Sequence, residues 1–171
     1  KEWYLEDLSA NVRAVLTHKR RQGCSIASGA LYGYRKDPAC RGHLLPDEAA
    51  APVVVRIFAL ALSGLGCAAI ARCLNAEGIP SPAAAKALAQ GKAPGPGLWS
   101  KATVHRMLTN RTYAGDLVQG RVERISWRSS KTRRLPEERW IVAPASQPPL
   151  VSRAVFDRVQ ALLAARARSG K

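Results

Sequence analysis

The apolar run Val53–Leu62 constrains the fold of this chain more than any other segment. Wound as a helix it is apolar on nearly every side, so other parts of the chain must surround it. It is too short to cross a membrane, which takes about 20 apolar residues. Asp47 precedes the run, and the Gly64–Gly66 break follows it. The run therefore predicts a buried helix with Asp47 as its N-cap, ending at Ser63 and central to the core.

Apolar residues three or four positions apart predict four more helices. They are expected over residues 1–22, over residues 67–76, from a cap at Ser100 to about Asn110, and after a cap at Ser152. The Pro-, Gly- and Ala-rich residues 79–98 predict a flexible loop.

Beyond Asn110 the spacing changes, and β-favouring residues near turn signals predict two or three antiparallel strands. Residues 128–139 would form a basic hairpin tip or loop, and Tyr32–Tyr34 a short strand elsewhere. The expected fold class is α+β and mostly helical, with a small antiparallel β element and a C-terminal helix.

The charge of the chain is strongly unbalanced. Its 171 residues suggest one domain, or one domain plus an extended arm, and 27 basic against 12 acidic residues give a net charge of +15. Such an excess indicates a polyanionic partner, most often nucleic acid. An anionic membrane surface is the rival, but no stretch is apolar enough to span a bilayer.

Cysteines and histidines do not predict a metal or catalytic centre. Cys24, Cys40, Cys67 and Cys73 form no CxxC pair and have no histidine at zinc-finger spacing, so we expect no metal, no cofactor and a reducing, cytoplasmic compartment. The three histidines, at positions 18, 43 and 105, belong to no catalytic signature, so no catalytic residue is expected.

Two predicted helices have the pattern of a helix-turn-helix, with an unusually long interrupted turn between CAAIARCLNAEG and SKATVHRMLTN. At 100° per residue, Val104, Met107 and Leu108 share one face and should pack on the core. The opposite face is small, polar and cationic, which suits close approach to base edges, although an ordinary surface helix would also explain it. The candidate major-groove residues are Ser100, Lys101, Ala102, Thr103, His105, Arg106, Thr109 and Arg111.

Two other basic groups could contact the DNA backbone or the minor groove. They are Arg13, Lys19, Arg20 and Arg21 at the end of the first helix, and Arg121, Arg124, Arg128, Lys131, Arg133 and Arg134 around Trp127. The alternatives are a solvated helix end that is stabilised by the helix dipole, and a solvated loop that pairs with neighbouring glutamates.

The order of these segments resembles the recombinase domain of large serine recombinases, the phage integrase and transposon resolvase family. The matching words are YGY, LLPDEAAAPVVVRIFALALSGLG, AAIARCLNAEGIPSP, Trp99, TVHRMLTNRTYAGDLVQGR and PLVSRAVFDRVQALL. They cover the chain from about residue 30 to residue 164.

The resemblance implies an attachment-site recognition module in a DNA integration, excision or resolution system. Residues 1–23 would be the end of the helix that links to an absent catalytic domain, residues 24–168 the DNA-binding domain, and 169–171 a tail. The family's serine nucleophile would lie upstream, so this chain alone should be inactive. That expectation agrees with its start, which lacks an initiator methionine. The parent, encoded by a bacterium or a phage, would act as a dimer or tetramer on double-stranded DNA, in the cytoplasm and associated with the nucleoid. This fragment would be monomeric.

Three other interpretations stay open at this point. The chain could be a stand-alone helix-turn-helix regulator, a basic RNA-binding or ribosome-associated protein, or a protein-interaction module whose charge serves solubility.

Overall fold

The computed structural model describes residues 2–95, 97–125 and 129–169. These residues fold into helices and short antiparallel strand pairs. The helices are α1 (Glu2–Arg21), α2 (Ala51–Leu62), α3 (Cys67–Ala76), α4 (Pro82–Ala89), α5 (Lys101–Leu108) and α6 (Arg153–Ser169). The strands are β1 (Tyr34–Lys36), β2 (Leu44–Pro46), β3 (Leu117–Gln119), β4 (Val122–Arg124), β5 (Thr132–Arg134) and β6 (Ile141–Ala143). They pair antiparallel as β1–β2, β3–β6 and β4–β5. The predicted α+β class is confirmed.

The chain divides into two compact units, each built from two separate stretches. The mixed unit consists of Lys1–Pro46 and Arg111–Pro149. The helical unit consists of Asp47–Asn110 and Leu150–Lys171. The domain limits expected at residues 23 and 168 stay a prediction.

The core of the helical unit is centred on α2, as the apolar run predicts. Ile57 and Phe58 are fully buried, and the Phe58 ring lies 6.2 Å from the Phe156 ring of α6. Only one face of α2 is buried, however, because Val55 is 45% exposed. The expectation of burial on nearly all sides is therefore wrong.

The start of α2 also differs from the prediction. Asp47 Oδ1 accepts hydrogen bonds from the backbone N–H groups of Ala49 at 3.1 Å and Ala50 at 2.8 Å, so it stabilises the turn before the helix. The helix itself begins at Ala51, and its N-cap residue Ala50 makes no side-chain cap. Pro52 explains this start, because its fixed φ and missing N–H suit the first helical turn.

A helix occupies much of the segment expected to be a loop. Ser81 Oγ accepts a hydrogen bond from Ala84 N at 3.4 Å, Pro82 stands in the first turn, and the alanines that follow are the best helix formers. A Cβ built on Gly97 would lie 2.6 Å from Ala84 Cβ, so the returning chain passes close against α4. The loop prediction for residues 79–98 is wrong over Pro82–Ala89.

Two tyrosines organise the core of the mixed unit. The rings of Tyr34 and Tyr113 stack at 6.1 Å, and the Tyr34 hydroxyl donates to the carbonyls of Thr112 at 2.9 Å and Pro148 at 2.8 Å. Burial raises the pKa of Tyr113 above its usual range, and its hydroxyl donates to Tyr32 O at 2.9 Å. The strand expected at Tyr32–Tyr34 begins at Tyr34 and runs to Lys36.

Two glutamines hold the chain where it leaves α1. The buried Gln147 side chain donates to Gly23 O at 3.0 Å and accepts from Leu44 N at 2.7 Å. Gln119 donates to Cys24 O at 2.8 Å and accepts from Ile26 N at 3.1 Å. Gly23 ends the helix with a φ of 76°, a conformation that glycine adopts without strain.

The strands after Asn110 are arranged differently from the expected two or three. Where the structure describes the range from Leu117 to Ala143, it has four strands in two separate pairs. Residues 128–139 are not only a hairpin tip, because β5 pairs back onto β4 and Glu137–Arg139 form a 3-10 turn. None of the helices among the described residues is long and apolar enough to cross a membrane.

Candidate nucleic-acid interface

The α5 helix starts where the sequence predicts. Ser100 Oγ accepts a hydrogen bond from Thr103 N at 3.2 Å and lies 3.0 Å from the Thr103 hydroxyl, so Ser100 is the N-cap. The helix ends at Leu108, and the hydroxyl of the C-cap residue Thr109 donates to His105 O at 2.9 Å.

The two faces of α5 have the predicted difference in exposure. Val104, Met107 and Leu108 are buried, with 0%, 6% and 1% of their surface exposed. The reading face, by which we mean the polar side of α5, is accessible, and only Thr103 in it is half-buried. Its exposed residues are Ser100, Lys101, Ala102, His105, Arg106 and Thr109, followed by the exposed Arg111.

A direct clamp joins the end of α3 to Trp99, the residue before the N-cap of α5. The side-chain amide of Asn75 accepts from Trp99 N at 2.8 Å and donates to Trp99 O at 3.0 Å. The buried Trp99 indole donates to Ile79 O at 2.9 Å. Two hydrogen bonds therefore fix the residues before α5 against the end of α3, and a third fixes them to Ile79 in the connection.

Sequence reasoning missed Asn75. An asparagine in the last turn of a predicted helix is a common surface residue, so its type alone gives little signal. The better signal is Trp99, since a tryptophan after a Gly- and Pro-rich stretch needs both burial and a partner for its N–H.

The C-terminal end of α5 is held by α6. Gln160 Nε2 donates to Leu108 O at 2.7 Å, which satisfies one of the carbonyls that a helix end leaves free. Arg166 donates to Leu65 O at 2.8 Å and also to Gly64 O, in the turn between α2 and α3. Both ends of α5 therefore have defined partners within the helical unit.

The basic ribbon, by which we mean residues 121–125 and 129–134 with the paired strands β4 and β5, carries the second predicted group of phosphate contacts. Arg133 Nε donates to Glu123 Oε1 at 2.6 Å across the strands, and Arg139 reaches the same carboxylate at 3.6 Å. Arg124, Lys131 and Arg134 are exposed. Arg128 and Trp127 lie outside the described residues.

Arg121 has a different environment from the rest of the ribbon. Its guanidinium lies 5.0 Å from the centre of the Trp140 ring, and its Nε is buried with no hydrogen-bond partner. Burial lowers the pKa of this guanidinium, and the nearby Arg134 adds to that effect. Cation–π contact and partial burial therefore leave Arg121 less accessible than the exposed Arg124 and Arg134.

The basic end of α1 belongs to the same unit as the ribbon. Lys19 and Arg21 are exposed, Arg13 donates through Nε to Ser9 O at 3.1 Å, and Arg20 is half-buried with an unpartnered Nε. The predicted groove-reading set up to Thr109 therefore belongs to the helical unit, and the predicted backbone set to the mixed unit.

The model of one protein family, Recombinase, matches residues 48–166, which is more than half of the chain. The chain belongs to the recombinase family. The resemblance stated from the sequence is confirmed at this level. The match begins beyond α1 and covers α2 to α6, including the clamp and the reading face.

Solved structures of low sequence identity share the fold of this recombinase chain. One, "Crystal Structure of a LSR-DNA Complex", has 16% identity and a TM-score of 0.53, and the match covers 91% of this chain and 38% of the other. Another, "Sequence Requirements of the Listeria innocua prophage attP site", has 16% identity and a TM-score of 0.54, covering 89% and 51%. The chain thus spans about half or less of the length of these two structures.

No curated protein matches the sequence. Among the residues described above, no group of three or more His, Cys, Asp or Glu side chains could hold a metal ion. The predicted contact residues stay predictions, since neither fold nor family tests them individually.

Proposed function

We propose that this chain is the sequence-specific duplex DNA-binding module of a site-specific serine recombinase, and that it recognises one half of an attachment site. The observation that carries the proposal is the reading face of α5. It is polar and accessible, contains no acidic residue, and lies on a helix held at both ends. Family membership and a structural neighbour named as a DNA complex support the same partner.

In the proposed complex α5 lies in the major groove. Arg106 and Lys101 can donate to guanine O6 and N7, and the small Ala102 permits close approach to a thymine methyl group. The rest of the set would contact bases or the flanking phosphates, and consists of Ser100, Thr103, His105, Thr109 and Arg111. A fixed helix is needed for this role, because base-edge hydrogen bonds tolerate little displacement.

The mixed unit would supply affinity rather than specificity. Phosphate contacts position a protein on the duplex without reading sequence, and each one adds to the salt dependence of binding. We assign this role to the basic groups at the end of α1 and along the basic ribbon. They are Arg13, Lys19, Arg20, Arg21, Arg121, Arg124, Lys131, Arg133 and Arg134, together with Arg128, which lies outside the described residues.

We assign no catalytic residue to this chain. Strand cleavage and rejoining belong, in this proposal, to a serine nucleophile elsewhere in the parent recombinase, which would assemble as a dimer or tetramer on DNA in a bacterial cytoplasm. Alone, the chain would bind as a monomer.

Selection of bound duplexes from a random pool tests the proposal. We expect the recovered sequences to share a half-site that the chain binds more tightly than random duplex, by about 1–3 kcal/mol for each base pair that matters. Recovery without a common sequence would contradict specific recognition. Tighter binding to structured RNA of the same length than to the selected duplex would instead favour an RNA-binding function.

A further inference from the structure

A cleft of about 800 Å³ in the mixed unit lies between α1 and the base of the basic ribbon. One side is a single face of α1, since its lining residues recur three or four positions apart. They are Ser9, Val12, Arg13, Leu16, Thr17, Arg20 and Arg21. Residues of β4, β6 and the segment between β5 and β6 form the other side.

The lining of this cleft is strongly cationic. Five arginines contribute to it, namely Arg13, Arg20, Arg21, Arg124 and Arg139, against one acid, Glu123. Glu123 is already engaged by Arg133 and Arg139. Of the acidic groups in the described part of the chain, none forms an ion pair with the other four arginines.

Arg20 supplies a second observation that points to a ligand. Its Nε is buried and has no hydrogen-bond partner, although an N–H donor withdrawn from water is normally satisfied. Like charges gathered around one concave space also repel each other in the absence of an anion. The arrangement of these arginines is therefore more favourable when an anion is bound in the cleft than in the free protein.

The shape of the cleft selects among anions. From Ser9 to Arg21 it follows α1 for about 18 Å at 1.5 Å per residue. A DNA strand advances about 3.4 Å per nucleotide along the duplex axis, and its backbone path is longer because it winds around that axis, so this length corresponds to at most about five nucleotides. Val12 and Leu16 place apolar surface between the arginines, which suits the alternation of sugar and phosphate along a strand better than a lone hydrated phosphate ion.

We infer that this cleft holds the sugar–phosphate backbone of one strand of the DNA, so that α1 and the basic ribbon contact the same strand from two sides. The inference rests on the proposed function for its ligand. It goes beyond a general basic surface, because it assigns Arg20 and Arg124, from separate elements, to one continuous backbone site.

The test compares the double variant Arg20→Gln/Arg124→Gln with the matched control Arg35→Gln/Arg41→Gln. The control residues are exposed, belong to the same unit and do not line the cleft. Affinity for a selected duplex is measured as a function of salt, and thermal unfolding is followed without DNA. For the cleft variant we expect the slope of log affinity against log salt to flatten by about 0.9 for each phosphate that the variant no longer neutralises. Its unfolding midpoint should be no lower than that of the control.

Three results would overturn the inference. The cleft variant could show the same salt slope as the control, or it could unfold at a clearly lower temperature, which would make these arginines structural. Inorganic phosphate could also raise the unfolding midpoint of the unaltered chain as much as duplex does at equal phosphate concentration, which would indicate a single-ion site.

Failure of the cleft can be told apart from failure of the proposed function. If the unaltered chain selects a half-site but the two double variants behave alike, only the cleft assignment is overturned. If the unaltered chain binds no duplex at all, both proposals are overturned.

Discussion

The α5 helix and the basic ribbon present positive charge on very different supports. Three buried residues hold α5 in the helical core, and both of its ends have side-chain partners from other helices. The two strands of the ribbon have three residues each and, in the described part of the chain, pair only with each other. Two-stranded pairs of this kind are marginally stable by themselves. The supports match the proposed roles, because reading base edges requires fixed donors, whereas phosphates attract charge from many positions.

The largest expected effect tests the support of α5. Trp99→Ala removes a buried ring and its hydrogen bond to Ile79, so it should lower the free energy of unfolding by about 3–5 kcal/mol. Chemical denaturation followed by circular dichroism measures this loss. The control is Leu98→Ala, since Leu98 is 70% exposed and its truncation should change stability little. Equal effects of the two variants would show that the buried indole of Trp99 does not hold the start of α5.

The next effect tests the reading face itself. Arg106→Ala should weaken binding to the selected half-site by about 1–3 kcal/mol and relax the preference at one or two base pairs. Binding to random duplex should change less. Titration of both duplexes measures the difference, and Arg158→Ala, an equal charge loss at an exposed position of α6, is the control. An equal loss on selected and random duplex would remove Arg106 from base recognition.

Local patterns predicted the elements of α5 and α3 well. The limits of α3 are those expected, Ser100 caps α5, and the three core residues of α5 are buried. These features depend on residues within one or two turns of each other, so spacing and capping chemistry suffice. Pro82–Ala89 shows how a local signal can mislead, because Ser81-Pro82 suits a loop and is equally typical of a helix start.

Pairings between distant segments could not be predicted in the same way. Asn75 and Trp99 are separated by the whole α4 segment, and Arg20 and Arg124 are farther apart still. Residue type alone does not predict that an asparagine side chain will hydrogen-bond to the backbone of a distant residue. Nor does it predict that two distant arginines will line one cleft. These contacts depend on how the distant segments pack together in the folded core, so they can be identified only from the structure.

Within the basic ribbon the structure predicts unequal roles for two neighbouring arginines. Arg133 is paired with Glu123, whereas Arg134 is exposed, and no ion pair joins it to any acid in the described residues. Arg134→Gln should therefore flatten the salt dependence of duplex binding by about 0.9. Arg133→Gln should flatten it less, because freeing Glu123 also changes the local charge. Salt titrations of the two variants make the comparison, and equal slopes would contradict it.

The smallest effect depends on pH. The pKa of Asp37 is lowered, chiefly because its carboxylate accepts a hydrogen bond from Ala39 N at 2.8 Å and also because His43 lies 3.2 Å away. A carboxyl whose folded pKa is below its unfolded value of about 3.9 stabilises the fold above that pH, and the contribution is lost as pH falls through the folded value. Asp37→Asn should thus lower the unfolding midpoint slightly at pH 7, and the difference should vanish only in acid below the folded pKa of this carboxyl. Glu48→Gln, the loss of an exposed acid, controls for charge alone. A difference for Asp37→Asn that persists in acid would show that the loop is held by geometry and not by the ionised carboxylate.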